Sequence, residues 1–222
     1  MKKFKELGDQ LWEGIALCLL GRALMDQDKN SITNGVQKTM EAINIFESFG
    51  EKRWIGIARG NLGTANIRLD KVNEAKKDIE AAIKIAEETC DERRRSIHFN
   101  CLGEVYLKFA DFEKAIWCNL ESLSIARRVK DKRRQAGALL WLGISKFKNK
   151  EKHDALVYLN EAKNIAKEIG DKRKEAQVNY QLGLIEKDNK NQEKAVQYFT
   201  EALQISKDIE AAFTEDIRRE LT

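Results

Sequence analysis

The dipeptide Leu-Gly recurs at Leu62-Gly63, Leu102-Gly103, Leu142-Gly143 and Leu182-Gly183, each copy 40 residues from the next, and an earlier copy, Leu20-Gly21, lies 42 residues before the first of these. Twelve residues after each regular glycine stands an alanine (Ala75, Ala115, Ala155, Ala195), and nineteen after it Ala82, Ser122, Ala162 and Ala202. Ile85, Ile125, Ile165 and Ile205 complete the register. A fixed period of this length marks one supersecondary unit that buries its apolar face only against copies of itself.

Each unit reads as a pair of helices. The first carries Leu-Gly on one face, where the small glycine admits a close neighbour. The second carries Ala and Ile at offsets of three, four and seven, which form one apolar stripe. Short polar stretches such as Leu69–Asn73 and Lys187–Asn191 are the turns, and links this short make the paired helices antiparallel. Stacking the pairs gives an all-α solenoid. Composition agrees: the 222 residues include no proline, against roughly eleven at an ordinary usage of about 5%. Long uninterrupted helices explain that absence, and proline-rich linkers are excluded. No window approaches the roughly 18 consecutive apolar residues of a membrane span, and MKKFKELGDQ lacks the apolar run of a signal peptide. Cys18, Cys90, Cys101 and Cys118 have no zinc spacing, so reduced, semi-buried thiols in a cytoplasmic protein are the economical reading. The net charge of +4 does not by itself imply nucleic acid.

Leu-Gly, then Ala, then an aromatic or aliphatic residue, then Ala, as in Leu182-Gly183…Ala195…Phe199…Ala202, resembles the tetratricopeptide-repeat (TPR) signature. The usual TPR unit has 34 residues and a proline near its end. Here the unit is longer and the second helix continues through Ala202-Leu203-Gln204-Ile205-Ser206-Lys207-Asp208. That form resembles the repeats of Pins/LGN-type polarity adaptors and of prokaryotic TPR regulators, and Ile165–Lys172 resembles their inter-repeat junction. The resemblance covers nearly the whole chain. It implies a right-handed TPR superhelix whose first helices line a concave groove.

The junctions set the boundaries. Thirteen residues before each Leu-Gly glycine lie Gly8, Gly50, Cys90, Lys130 and Gly170, where a left-handed residue would close a helix. Asp9, Glu51, Asp91, Asp131 and Asp171 follow as N-caps, Glu51 being the weak member. Five repeats result: 9–50, 51–90, 91–130, 131–170 and 171–210. Residues 1–8 align with the end of a second helix and 211–222 with the beginning of a first one. They read either as caps or as the cut edges of a longer array. The two extra residues of the first repeat fall in Asp26–Gly35, which is expected to be an irregular loop, and Gly35 replaces the first alanine.

No nucleophile elbow, phosphate loop, zinc-protease or dinucleotide motif occurs. His98 precedes Cys101 by three residues, and a partly buried histidine beside a structural cysteine is the plain reading. Neither enzyme, cofactor nor metal site is expected. Binding is. By register the groove receives Leu19, Asn61, Cys101, Trp141 and Gln181, then Arg22, Thr64, Glu104, Ile144 and Leu184, then Asp26, Arg68, Lys108, Lys148 and Asp188. Arg68, Lys108 and Lys148 form a basic row suited to carboxylates, Trp141 an apolar anchor, and Asn61 and Gln181 hydrogen-bonding sites for a peptide backbone. An acidic peptide or protein segment with an apolar anchor is the expected ligand. The Lys/Asn clamp of chaperone-binding TPRs is not reproduced: Cys18 and Arg22 stand where Lys and Asn are wanted.

Two other surfaces stand out. The junctions Lys52-Arg53, Arg93-Arg94-Arg95, Lys132-Arg133-Arg134 and Lys172-Arg173-Lys174 form a basic ridge. It serves either an acidic partner or, less readily, nucleic acid, or it is neutralised by Glu87, Glu88 and Glu168. Trp117 and Val157 make a convex apolar patch, the alternative being an oligomerisation module that uses it or the open ends of the array.

Overall fold

The computed structural model describes residues 9–25, 29–209 and 213–221. Among them are eleven helices and no strand. They are α1 (Gln10–Met25), α2 (Lys29–Phe49), α3 (Lys52–Arg68), α4 (Val72–Glu88), α5 (Glu92–Lys108), α6 (Phe112–Arg128), α7 (Lys132–Lys148), α8 (Lys152–Glu168), α9 (Lys172–Asp188), α10 (Gln192–Asp208) and α11 (Thr214–Leu221). The chain divides into two compact units, Met1–Phe109 and Ala110–Thr222. In the first, α1 packs on α2 and α3 on α4, with α1, α3 and α5 also touching in sequence. In the second, α7 packs on α8, α9 on α10, and α7 touches α9, while α11 lies on α10. This is the helix-pair stacking of an α-solenoid.

The repeat residues are the core. Ala75, Ala82, Ala155, Ala162, Ala195 and Ala202 are fully buried, and between them the second helices send one large side chain under the glycine of their partner. A Cβ added at Gly63 would meet Ile79 Cγ1 at 2.4 Å, at Gly143 Leu159 Cγ at 2.6 Å, and at Gly183 Phe199 Cε1 at 2.5 Å. In the first pair Gly21 faces Gly35 instead: their backbones approach so closely that a Cβ on Gly35 would lie 2.6 Å from the Gly21 carbonyl oxygen. Phe46 and Trp54 stack at 5.6 Å between ring centroids, joining α2 to α3. At the other end Ile217 of α11 is fully buried against Ala195, Phe199 and Ala202.

One expectation is corrected. Lys29–Gly35 is not a loop: α2 starts at Lys29 and runs 21 residues, where α3 to α10 each have 17. The insertion is taken up as an additional helical turn, placing Gly35 on the Gly21 contact. Asp26–Asp28 lie outside the described residues, as do Met1–Gly8, to which the expected amino-terminal cap belongs.

The links repeat at half the sequence period. Positive φ occurs at Gly50, Asp70, Cys90, Ala110, Lys130, Lys150, Gly170 and Lys190, every twentieth residue. After α3, the Asp70 N–H donates to Ile67 O (3.2 Å) and the Lys71 N–H to Asn66 O (2.9 Å), and the same pair of bonds closes α2, α4, α6, α7, α8 and α9. These are Schellman closures, which satisfy carbonyls left open at a helix end. The carboxylates of Asp91, Asp111, Asp131 and Asp171 then accept from the backbone N–H three residues on, capping the following helix. Glu51 makes no such bond, in keeping with its weak N-cap character.

Two substitutions test these features by urea denaturation. Gly143→Ala is expected to cost roughly 2–3 kcal/mol, because Leu159 sits in the core and cannot retreat. Lys150→Gly, which relieves a left-handed lysine with φ of 65°, is expected to stabilise by about 1 kcal/mol. A neutral Gly143→Ala would mean that the pair closes without this contact.

Candidate functional site on the first helices

In the first unit the face formed by α1, α3 and α5 is cross-tied from one first helix to the next. The Asn61 amide donates to Cys18 Sγ (3.8 Å) and receives Arg22 Nη1 (3.4 Å), while Thr64 Oγ1 lies 3.8 Å from Cys101 Sγ. At the far end of the helices the Arg68 guanidinium donates to the Met25 carbonyl, and Lys108 Nζ donates to Asp70 Oδ1 at 2.8 Å. Arg68 and Lys108 are thus each tied back to the preceding repeat. Asn61 is buried.

In the second unit the face belongs to α7 and α9. Trp141 is half-buried and stands outside the cluster that Leu139, Leu140 and Leu142 build with Leu159 and Leu182. Ile144 packs on that cluster. Lys148 is exposed at the end of α7, and Gln181 is half-buried on α9. Asp188, at the end of α9, pairs with Lys152 at 2.5 Å. The six residues expected to bind ligand therefore fall into two groups: Asn61, Arg68 and Lys108 in the first unit, Trp141, Lys148 and Gln181 in the second.

Burial governs the ionisable groups of this face. It pushes the Cys18 thiol up to about 11, although the Asn61 bond and the field of Arg94 pull the other way. It also raises the Glu104 carboxyl, Lys108 opposing. His98, 3% exposed, is brought down to about 4 by burial and the Arg94 charge, against the pull of Asp91. Its ring lies so close to Gly60 that a Cβ there would come 2.2 Å from Cε1. Cys18 and Cys118 are buried, Cys101 is half-buried and Cys90 exposed, all as free thiols. No group of three or more His, Cys, Asp or Glu fit to hold a metal occurs among the described residues. No described helix is long and apolar enough to cross a membrane.

The junction cations are largely paired. Lys52 meets Glu88 at 3.0 Å, Arg53 meets Asp91 at 3.4 Å and Arg95 meets Glu87 at 3.2 Å. In the second unit Lys132 meets Glu168 at 3.2 Å and Lys172 meets Glu175 at 2.9 Å. Neutralisation by Glu87, Glu88 and Glu168 accounts for this part of the ridge. On the second helices Trp117 is 54% and Val157 53% exposed.

Two tetratricopeptide-repeat family models match the chain, over residues 134–208 and 58–89. The chain is a tetratricopeptide-repeat protein. Solved structures similar to this TPR chain include aspartyl phosphate phosphatase F from Bacillus subtilis, with a TM-score of 0.78 at 15% identity over 98% of this chain and 57% of that one. The apo form of RapI gives 0.74 at 16% identity over 99% and 88%. The TPR-like repeats of a putative kinesin light chain from Podosopora anserina give 0.67 at 13% over 89% and 96%. The TPR chain spans little more than half the length of the phosphatase structure. At such identities the likeness is one of fold, and none of these matches is a Pins/LGN-type adaptor. No curated protein matches the chain. TPR repeat proteins are typically non-enzymatic scaffolds for protein interaction.

The sequence register placed the groove residues on their helices, but it missed the ties that hold them. One such tie had a signal in the opposite charges of Lys108 and Asp70, 38 residues apart. His98 gives this face a measurable pH response. Between pH about 4 and 6.5 the unfolded chain binds a proton at His98 that the folded chain excludes. Stability is therefore expected to fall across that window as the pH is lowered, by up to about 3 kcal/mol. His98→Gln should flatten this limb of a stability-against-pH curve, and an unchanged limb would remove His98 as its source.

Proposed function

We propose that the TPR chain binds an extended peptide or protein segment, acidic with an apolar anchor, on the face of its first helices. The observation that carries the reading is Trp141: a half-buried indole on a first helix, outside the cluster formed by its neighbours, flanked by the exposed Lys148 and the half-buried Gln181. An aromatic side chain so placed is the usual centre of binding energy, and a nearby cation sets the sign of the partner. In the first unit Arg68 and Lys108 give the same face of its first helices positive charge even while tied to the preceding repeat. Asn61 acts by fixing the spacing of α1 and α3, as well as by offering an amide edge. The probe is a fluorescein-labelled short peptide of alternating Glu and Leu, titrated into the full chain. Trp141→Ala is expected to weaken its binding by at least about tenfold. Lys148→Glu should weaken it further and reduce its dependence on salt. Unaltered affinity in both variants would sink the reading.

A second reading is favoured by the exposure of Trp117 and Val157 at equivalent positions of α6 and α8. In it the convex patch joins copies of the chain. Light scattering of the full chain checks this cheaply: a species larger than the monomer that Trp117→Lys with Val157→Lys returns to monomer supports it. A strictly monomeric protein at all concentrations disposes of it.

A further inference from the structure

Among the described residues, two junction cations, Arg134 and Lys174, lack a close ion pair and are half-buried. Arg134 is the third residue of α7 and Lys174 the third of α9. Seven residues on from them, hence on the same helix face, stand Trp141 and Gln181. Arg134 and Lys174 therefore belong to the face of the first helices, at the opposite end from Lys148 and about 10 Å along the axis from Trp141. α7 and α9 are in direct contact.

The acids around them are already committed. The Asp131 carboxylate accepts from the Arg134 backbone N–H at 3.1 Å, and that of Asp171 accepts from the Lys174 N–H at 3.1 Å, both as helix caps. The second oxygen of Asp171 lies 3.9 Å from Arg133 Nε and 4.0 Å from Lys174 Nζ, so one carboxylate is shared loosely between two cations. Glu175, 6% exposed, is held by Lys172 at 2.9 Å. Nε of Arg134 is buried with no hydrogen-bond partner among the described residues. Burial holds the Lys174 ammonium below its usual range, and the charges of Arg134, Arg133 and Arg173 add to this against Asp171. Two helix N-termini contribute further positive potential at the same place.

We propose that Arg134 and Lys174 are an anion-binding pair that receives a carboxylate of the bound segment next to the apolar residue seated on Trp141. This deepens the peptide-binding reading and rests on it. The chemistry is that of a carboxylate bridging a guanidinium and an ammonium from neighbouring helices, in which each N–H donates and each carboxylate oxygen accepts. It gives the ligand a pattern: an acidic group and an apolar anchor separated by the distance from the start of α7 to its middle.

The test uses the full chain and two labelled probes, the Glu/Leu peptide and its Gln/Leu counterpart. Wild type is expected to prefer the Glu/Leu peptide by about tenfold or more at low ionic strength. Arg134→Gln with Lys174→Gln should cut that preference several-fold, leaving the part due to Lys148, with the affinity for the Gln/Leu peptide unchanged. Lys132→Gln, which removes an ammonium already held by Glu168, should leave the preference intact. The charge-conserving exchange of Arg134→Lys with Lys174→Arg should keep most of it, which separates charge from damage to the helix ends. Persistence of the full preference in the double glutamine variant overturns the anion pair and leaves the groove reading standing. Equal binding of the two peptides by wild type overturns the anion pair together with the acidic part of the groove reading, and leaves only its apolar anchor. Failure of either peptide to bind wild type overturns both.

Discussion

Everything in this fold hangs on a large side chain of a second helix lying under a glycine of the first. Ile79 under Gly63, Leu159 under Gly143 and Phe199 under Gly183 differ in shape and volume, yet each brings its partner helix to the same kind of contact. What the position requires is apolar volume from one side and none from the other. Once the pair is closed, its apolar stripe is too wide to cover itself, and the next pair must lie on it. The first pair reaches the same closeness differently. Gly21 and Gly35 meet backbone to backbone with Thr39 beside them, and α2 gains a turn to bring Gly35 there.

The links explain the missing proline. From α3 to α10 each link is three residues long, and its amides are in use. At the junction after α4 the Cys90 N–H donates to Glu87 O, the Asp91 N–H to Ala86 O and the Glu92 N–H to Cys90 O. A proline at any of these places deletes a bond that closes a helix, and its fixed negative φ is incompatible with the left-handed residue. The helices on either side exclude it as well. With 17-residue helices and three-residue links, proline is tolerated only in the first turn of each helix.

The sequence period of 40 concealed a structural period of 20. Gly50 and Gly170 announced the junctions between repeats, because glycine is the residue that takes positive φ without strain. The turns inside repeats use Asp70, Ala110, Lys150 and Lys190 in the same conformation, and none of these advertises it. The alanines, isoleucines and Leu-Gly pairs were legible because burial restricts size at every turn of the stack. The loop expected over Asp26–Gly35 was not, since two added residues alone do not say whether a helix lengthens or a link bulges. On the binding face, register assigned residues to rungs but not to partners. Whether Arg68 faces a ligand or the Met25 carbonyl is decided by the rise from one pair to the next, which appears only once the pairs are stacked.

That distinction sorts the basic row by what a ligand would have to displace. Lys108 is held by Asp70, whose side chain is 80% exposed, and the pair sits in water at both ends. Such a pair is worth about 0–1 kcal/mol, so an incoming carboxylate can take the ammonium at small cost. Arg68 serves a backbone carbonyl of the previous first helix. Withdrawing its guanidinium would leave a partly buried acceptor short of a partner, a heavier penalty than an exposed ion pair carries. Of these two, Lys108 is therefore the one whose tie is cheap to break, and Arg68 is part of the frame that holds α3 against α1.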